Sequence, residues 1–215
     1  MTSAARDAVL QAIRNALGSR IELHPPPPLE IREDDLPRNE LFQRFCSELE
    51  ALGGKAFSVS GASGCANAIG DYARPLGVSG IAMQRSPLTL AVASHLPPSL
   101  TTKTDGTAEE VERTDCSLVE AQALLADTGS ALVIAGSYEE RLLPYLPRTC
   151  LIVAAAERLY AGMTEKALAP IADAAKAGVR GEALLVSGPS RTADIEKTLV
   201  LGAHGPANLA VFVVS

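Results

Sequence analysis

Short apolar runs alternate with amphipathic stretches along this chain. Residues 55–60, 78–84, 151–155 and 209–214 are apolar throughout or alternate at every second position, the signature of strands, and Ala183-Leu184-Leu185-Val186 predicts one more over 183–187. Elsewhere apolar positions recur at three and four residues, the period of a helix. One such stripe is Val9, Leu10, Ile13 and Leu17, ended by Gly18. A second is Leu41, Phe42, Phe45, Leu49 and Leu52, opened by Asn39 as a cap and closed by Gly53-Gly54. Helices are also predicted over 63–73, from Leu88 to His95, and from Thr164 to Ala177 with Pro170 as a kink. Ser117-Leu118-Val119-Glu120 has the spacing of a capping box and predicts a short helix. The runs Ala123–Ala126 and Ala131–Ala135 flank Asp127-Thr128-Gly129-Ser130 and predict a hairpin. Thr101 to Thr107 is polar and predicted exposed. The chain is expected to close with a helix over 191–201 and the strand 209–214.

Strands that alternate with helices predict an α/β fold: a mainly parallel sheet covered by helices on both faces. The hairpin predicts that part of the sheet is antiparallel. The prolines Pro25-Pro26-Pro27-Pro28 cannot sit in a helix and favour an extended tether. Residues 1–35 therefore read as an N-terminal helix and proline-rich arm, and 36–215 as the α/β domain. The arm either folds back on its own domain or docks on a second chain.

Composition narrows the function. A chain of 215 residues with 47% apolar positions buries a sizeable core, and 4% aromatics without Trp leave that core to aliphatic side chains. Few aromatics and a net charge of −6 argue against nucleic acid and anionic membrane as partners. No apolar run approaches the roughly 18–20 residues of a membrane span. Arg6, Asp7, Arg14 and Asn15 interrupt any signal-peptide core, so a cytoplasmic location is expected. Cys46, Cys65, Cys116 and Cys150 form no C-x-x-C pair, and His24, His95 and His204 share no ligand spacing. Neither a metal site nor an iron–sulfur site is signalled, and the thiols are expected to be buried and free. Walker loops, G-x-G-x-x-G and nucleophile elbows are likewise missing from the sequence.

Candidate chemistry gathers near the C-terminus, in Ser187-Gly188-Pro189-Ser190-Arg191-Thr192. A strand passing through Gly and Pro into a helix leaves backbone N–H groups free to hold an anion, and Arg191 adds a full charge. The same residues also fit a purely structural role, with Ser190 or Thr192 as a helix cap. Thr128, Gly129 and Ser130 would face Pro189, Ser190 and Arg191 if their strands were neighbours, since ligands collect beyond the carboxyl ends of α/β strands. As a plain turn, Asp127–Ser130 needs no ligand. His204, between Gly202 and Gly205, is the candidate proton carrier or carboxylate donor. Asp194 and Glu196, two apart, do not make a paired-carboxylate site.

The runs Gly188-Pro189-Ser190-Arg191-Thr192-Ala193-Asp194-Ile195-Glu196 and Gly202-Ala203-His204-Gly205-Pro206 resemble the C-terminal signature of the lactate utilization protein C family, the LUD domain. A second match is Ala126-Asp127-Thr128-Gly129-Ser130-Ala131-Leu132-Val133, followed by Arg141-Leu142-Leu143-Pro144 and Leu151-Ile152-Val153. The resemblance spans residues 36–215. It implies a fold similar to CoA transferases and ribose-phosphate isomerases. It also implies a subunit or accessory factor of a system oxidising L-lactate to pyruvate, with the iron–sulfur clusters on partner proteins and no cofactor in this chain. The ligand-binding residues it suggests are Thr128, Gly129, Ser130, Gly188, Pro189, Ser190, Arg191 and Thr192, for a small carboxylate or phosphate. Two alternatives stand beside this: a stand-alone enzyme acting on a small organic acid or its CoA ester, and a non-catalytic anion-binding module.

Overall fold

In the computed structural model, residues 3–16, 36–193, 199–202 and 204–215 are described. The prolines Pro25–Pro28, the helix stop Gly18, the acidic pair Asp194 and Glu196, and Ala203 lie outside them. The chain divides into two compact units, Met1–Glu30 and Ile31–Ser215. In the first, α1 (Ser3–Ala16) carries the expected stripe, with Val9, Leu10 and Ile13 all exposed.

The second unit opens with α2 (Arg38–Ala51), β1 (Lys55–Val59), α3 (Gly61–Ala73) and β2 (Gly80–Met83). Next come α4 (Pro87–Ala93), β3 (Thr101–Lys103), α5 (Ala108–Glu112) and β4 (Cys116–Leu125). The middle of the unit is β5 (Ser130–Ala135), α6 (Tyr138–Leu142), β6 (Thr149–Ala155) and β7 (Leu159–Tyr160). It ends with α7 (Glu165–Lys176), β8 (Glu182–Val186), β9 (Arg191–Ala193), β10 (Leu199–Leu201) and β11 (Asn208–Val214).

The main sheet runs β1-β11-β6-β4-β2-β3, and every pairing along this path is parallel. The α/β architecture expected from the sequence is thus present. Its organising element is β4, ten residues long. Cys116–Glu120 pairs with β6, and Cys116–Leu118 also with β2, inside the parallel sheet. From Ala121 onward, across a register shift between Ala121 and Ala123, the same strand pairs antiparallel with β5, which pairs antiparallel with β8. A bulge of this kind bends a strand and raises its twist, which is how one strand serves two sheet directions.

Two polar side chains, buried Gln84 and half-buried Gln122, repair the ladder at that bend. Gln84 accepts a hydrogen bond from the Glu120 N–H at 3.1 Å and donates to the Ile134 carbonyl at 2.8 Å. Gln122 accepts from the Ile134 N–H at 2.8 Å. Without them, main-chain groups at the junction would be orphaned, and buried main-chain groups are costly to leave unpaired.

Alternation along β4 splits the core. Cys116 and Leu118 join Ile69, Val92 and Phe212 beneath α3 and α4. Val119 and Ala121 join Phe45, Leu49, Ile152 and Val133 around α2. Helix α2 therefore lies between the parallel sheet and the β4–β5–β8 extension, and Phe45 and Leu49 are fully buried there.

Several local expectations are corrected. Residues 191–193 and 199–201 form an antiparallel pair, β9 with β10, where the sequence suggested one helix over 191–201. Thr192, Ile195, Thr198 and Val200 are β-branched and disfavour a helix, a signal outweighed at the sequence level by the helix-like spacing. Ser117 does not cap a helix; it lies inside β4, flanked by Ala82 of β2 and Cys150 of β6. The capping boxes belong instead to Ser86 with Thr89 and to Thr107 with Glu110. Helix α2 starts one residue before Asn39, at a cap formed by Pro37, whose carbonyl accepts from Glu40 and Leu41. The polar stretch after Leu100 is exposed as expected, but its first residues form the edge strand β3.

Candidate functional site

The turn Asp127–Gly129 and the turn after β8 come together, although β4 and β8 are not neighbours. Strand β5 lies between them, so the ends of both flank its start: Leu125 is opposite Ser130, and Val186 opposite Ala131. The Ser130 and Ser187 hydroxyls are 2.6 Å apart, Ser130 donates to Thr128 Oγ1 at 2.8 Å, and Thr128 donates to Asp127 Oδ1 at 3.3 Å.

The space these turns face is filled by α2. Gly129 adopts φ +60°, and a Cβ there would stand 2.4 Å from the Leu49 nitrogen. Gly188 adopts φ +85°, and a Cβ there would stand 2.8 Å from Leu52 Cβ. Pro189 is buried. Arg191 opens β9 rather than a helix, so no helix start supplies N–H groups at this point. Its Nη2 lies 3.5 Å from the Ala51 carbonyl, at the C-terminal end of α2, where a positive charge complements the helix dipole. Thr192 lies in β9 opposite Val200. Gly129, Gly188 and Arg191 thus meet the C-terminal half of α2.

Ser190 leads to a different place. Its N–H donates to the Pro206 carbonyl and its carbonyl accepts from the Gly202 N–H, both at 2.9 Å. The Ala207 N–H donates to the Arg148 carbonyl at 2.8 Å. The loop carrying His204 is thus pinned at both ends, with Gly202 at φ +72° making the turn. His204 is exposed and opens into a cleft of about 600 Å³, shared with Arg113, Thr114, Tyr145, Arg148 and Gly205. The sheet register explains the convergence. Cys116, Thr149 and Asn208 stand in one row across β4, β6 and β11, so the loops that precede those strands meet. This cleft lies at the amino ends of the parallel strands, not at the carboxyl ends where ligands of α/β sheets are expected.

A second cleft, of about 440 Å³, does lie at carboxyl ends, those of β2 and β3. It is lined by Arg85, Lys103, Asp105, Ser137, Glu139 and Glu140, among others. Its cations are already engaged: Arg85 pairs with Asp105 at 2.8 Å, and Lys103 pairs with Glu110. Arg85 and Lys103 hold the Asp105 and Glu110 carboxyls below the usual carboxylate range. Asp105, at φ +61°, is the non-glycine residue with positive φ among those described. Glu140 accepts from the Gly136 N–H at 2.7 Å. Neither cleft was legible in the sequence. The arginines Arg113 and Arg148 belong to no motif, and only strand order brings them to His204.

The cysteines are core residues. Cys65, Cys116 and Cys150 are buried, and burial pushes the thiols of Cys65 and Cys150 up to about 12 and that of Cys116 well above its ordinary value. Cys46 is half-buried, and its thiol is raised by burial and by the nearby Glu50. Among the described residues, no three His, Cys, Asp or Glu side chains converge as a metal site would require.

Comparison with known proteins places this architecture. The LUD domain profile matches residues 42–214. The chain is 27% identical over 108 residues to Lactate utilization protein C of Geobacillus kaustophilus, a match covering 50% of this chain and 45% of that protein. It is 31% identical over 111 residues to Lactate utilization protein C of Halalkalibacterium halodurans, covering 49% and 46% respectively. The chain thus spans about half the length of the curated relatives it matches. A DUF162 family protein from Deinococcus radiodurans shares the fold, with a TM-score of 0.59 and 21% identity, over 84% of this chain and 99% of that one. With most of its length matched by one domain profile and its fold reproduced in that structure, the chain belongs to the LUD domain family.

Proposed function

We propose that this chain serves lactate utilization, as a subunit or accessory factor of a system that oxidises L-lactate to pyruvate in the cytoplasm. The observation that carries this is the LUD match over residues 42–214, together with relatives that bear the name Lactate utilization protein C. Two electrons must leave lactate in that reaction. In this proposal they pass to iron–sulfur partner proteins, and this chain holds no cofactor of its own. Its thiols support that division. A cluster needs exposed, convergent thiolates, whereas Cys65, Cys116 and Cys150 are buried in the apolar core, where burial favours the protonated form.

No described helix is long and apolar enough to cross a membrane. The ligand in this proposal is a small carboxylate or phosphate, bound away from α2. A second reading, a stand-alone enzyme on a small organic acid or its CoA ester, draws on the cleft at the carboxyl ends of β2 and β3.

Deletion of the gene from the source organism tests the proposal. Loss of growth on L-lactate as sole carbon source, restored by the wild-type gene and with growth on pyruvate intact, is the expected outcome. Undiminished growth on L-lactate would overturn it. Affinity capture of the full chain from cells grown on L-lactate is expected to bring down iron–sulfur proteins and lactate-oxidising activity.

A further inference from the structure

We infer that the cleft at the amino ends of β4, β6 and β11 is a site for a small oxyanion, a carboxylate or a phosphate, gripped by Arg113 and Arg148 with His204 beside them. This does not depend on the role in lactate utilization. Three loops supply the site, and the parallel register that aligns Cys116, Thr149 and Asn208 holds them side by side. Each loop contributes one cationic or donor group: Arg113 from the first, Arg148 from the second, His204 from the third. Tyr145 adds a hydroxyl in the same cleft, whereas the Thr114 hydroxyl donates to the Glu110 carbonyl at 2.7 Å.

Charge pairing separates this cleft from the other. Arg85 and Lys103 of the carboxyl-end cleft each have a carboxylate partner, with Glu139 and Glu140 close by, so that cleft repels an anion. Among the described residues, Arg113 and Arg148 make no ion pair and no side-chain hydrogen bond. Two carboxylates, Glu112 and Asp115, share their cleft, yet neither reaches ion-pair distance of a guanidinium. Asp115 instead accepts from the Ser79 hydroxyl at 3.3 Å. Two guanidinium groups that line one cleft with no carboxylate at ion-pair distance leave their forked donors open to an oxyanion.

Hydrogen bonds between described residues tie the backbone behind the site together. The Arg148 carbonyl accepts from both Ala207 and Asn208, and the His204 loop is tied to Ser190 at each end. Gly205 packs against Ser190, where a Cβ would stand 3.0 Å from Ser190 Cβ. A pre-set cradle of this kind loses little ordering entropy on binding. The presented groups are few and short-ranged, which fits a small ion rather than an extended polyanion.

Titration calorimetry of the full chain at low ionic strength, with inorganic phosphate, L-lactate and pyruvate as separate probes, tests this. Binding of at least one probe is expected, and which one binds separates a phosphate site from a carboxylate site. Arg113→Ala and Arg148→Ala should each weaken it roughly tenfold to a hundredfold. Arg74→Ala, which removes an exposed charge paired with Asp71, should leave it unchanged. Melting temperatures of the variants without ligand should match the wild type, because both side chains are exposed and unpaired. Absence of binding by all three probes, or affinity unmoved in both arginine variants, would overturn the inference. If these results hold while the deletion strain grows on L-lactate, the site stands and the metabolic role falls.

Discussion

At the residue scale, single positions carry more structure than the motifs that contain them. Gly129 belongs to a turn signature that the sequence offers equally as ligand cradle and as plain connection. Its φ of +60° and its approach to the α2 backbone show close packing at this position. Gly129→Ala is expected to destabilise the protein by about 2–4 kcal/mol, combining the cost of a side chain at positive φ with overpacking against backbone that cannot yield. Urea unfolding followed by circular dichroism measures it, and a shift below ~1 kcal/mol would mean that the turn and α2 separate readily. Arg191 shows the same lesson. Its charge is evident from the sequence, but its partner, the end of α2, lies 140 residues earlier in the chain.

At the element scale, the decisive piece is the bend in β4. The hydrophobic pattern marks Ala123–Ala126 and Ala131–Ala135 as paired strands, and that hairpin is present. The pattern does not reveal that the first of them begins seven residues earlier, at Cys116, inside the parallel sheet. Ser117 and Glu120 break the apolar run and imitate a capping box. The Glu120 N–H is satisfied by Gln84, a side chain from a different strand end, so no local signal could betray it. Gln84→Leu keeps the volume but leaves the Glu120 N–H and the Ile134 carbonyl without partners. A loss of about 2–5 kcal/mol is expected from two orphaned groups. Hydrogen exchange at Glu120 should quicken more than at Leu118, and equal protection at both sites would show that the bend does not rely on Gln84. The β9–β10 pair escapes local reading for a related reason: strand pairing is non-local, and spacing alone cannot choose between two periods in a short segment.

At the scale of the whole molecule, the buried thiols couple stability to pH. Cys65 and Cys150 ordinarily titrate near 9.0 and are pushed up to about 12 by burial. Below pH 9 both states keep these protons and the thiols add no pH dependence. Between pH 9 and 12 the unfolded chain releases protons that the native chain retains, so stability falls as pH rises, by up to about 1.4 kcal/mol per unit for each thiol. Urea midpoints measured from pH 8 to pH 11 should decline, and the decline should be shallower in Cys65→Ala. An identical slope in that variant would show that other groups dominate. Strand and helix alternation, the hairpin, the buried cysteines and the α/β class were all legible along the chain, because each follows from local periodicity and the need to bury apolar faces. The position of α2 between two sheet directions, the convergence of Arg113, Arg148 and His204, and the seat that Gly129 and Gly188 form for α2 were not. Those depend on strand order and register, which are set by contacts between distant segments and leave no periodic trace in the residues that make them.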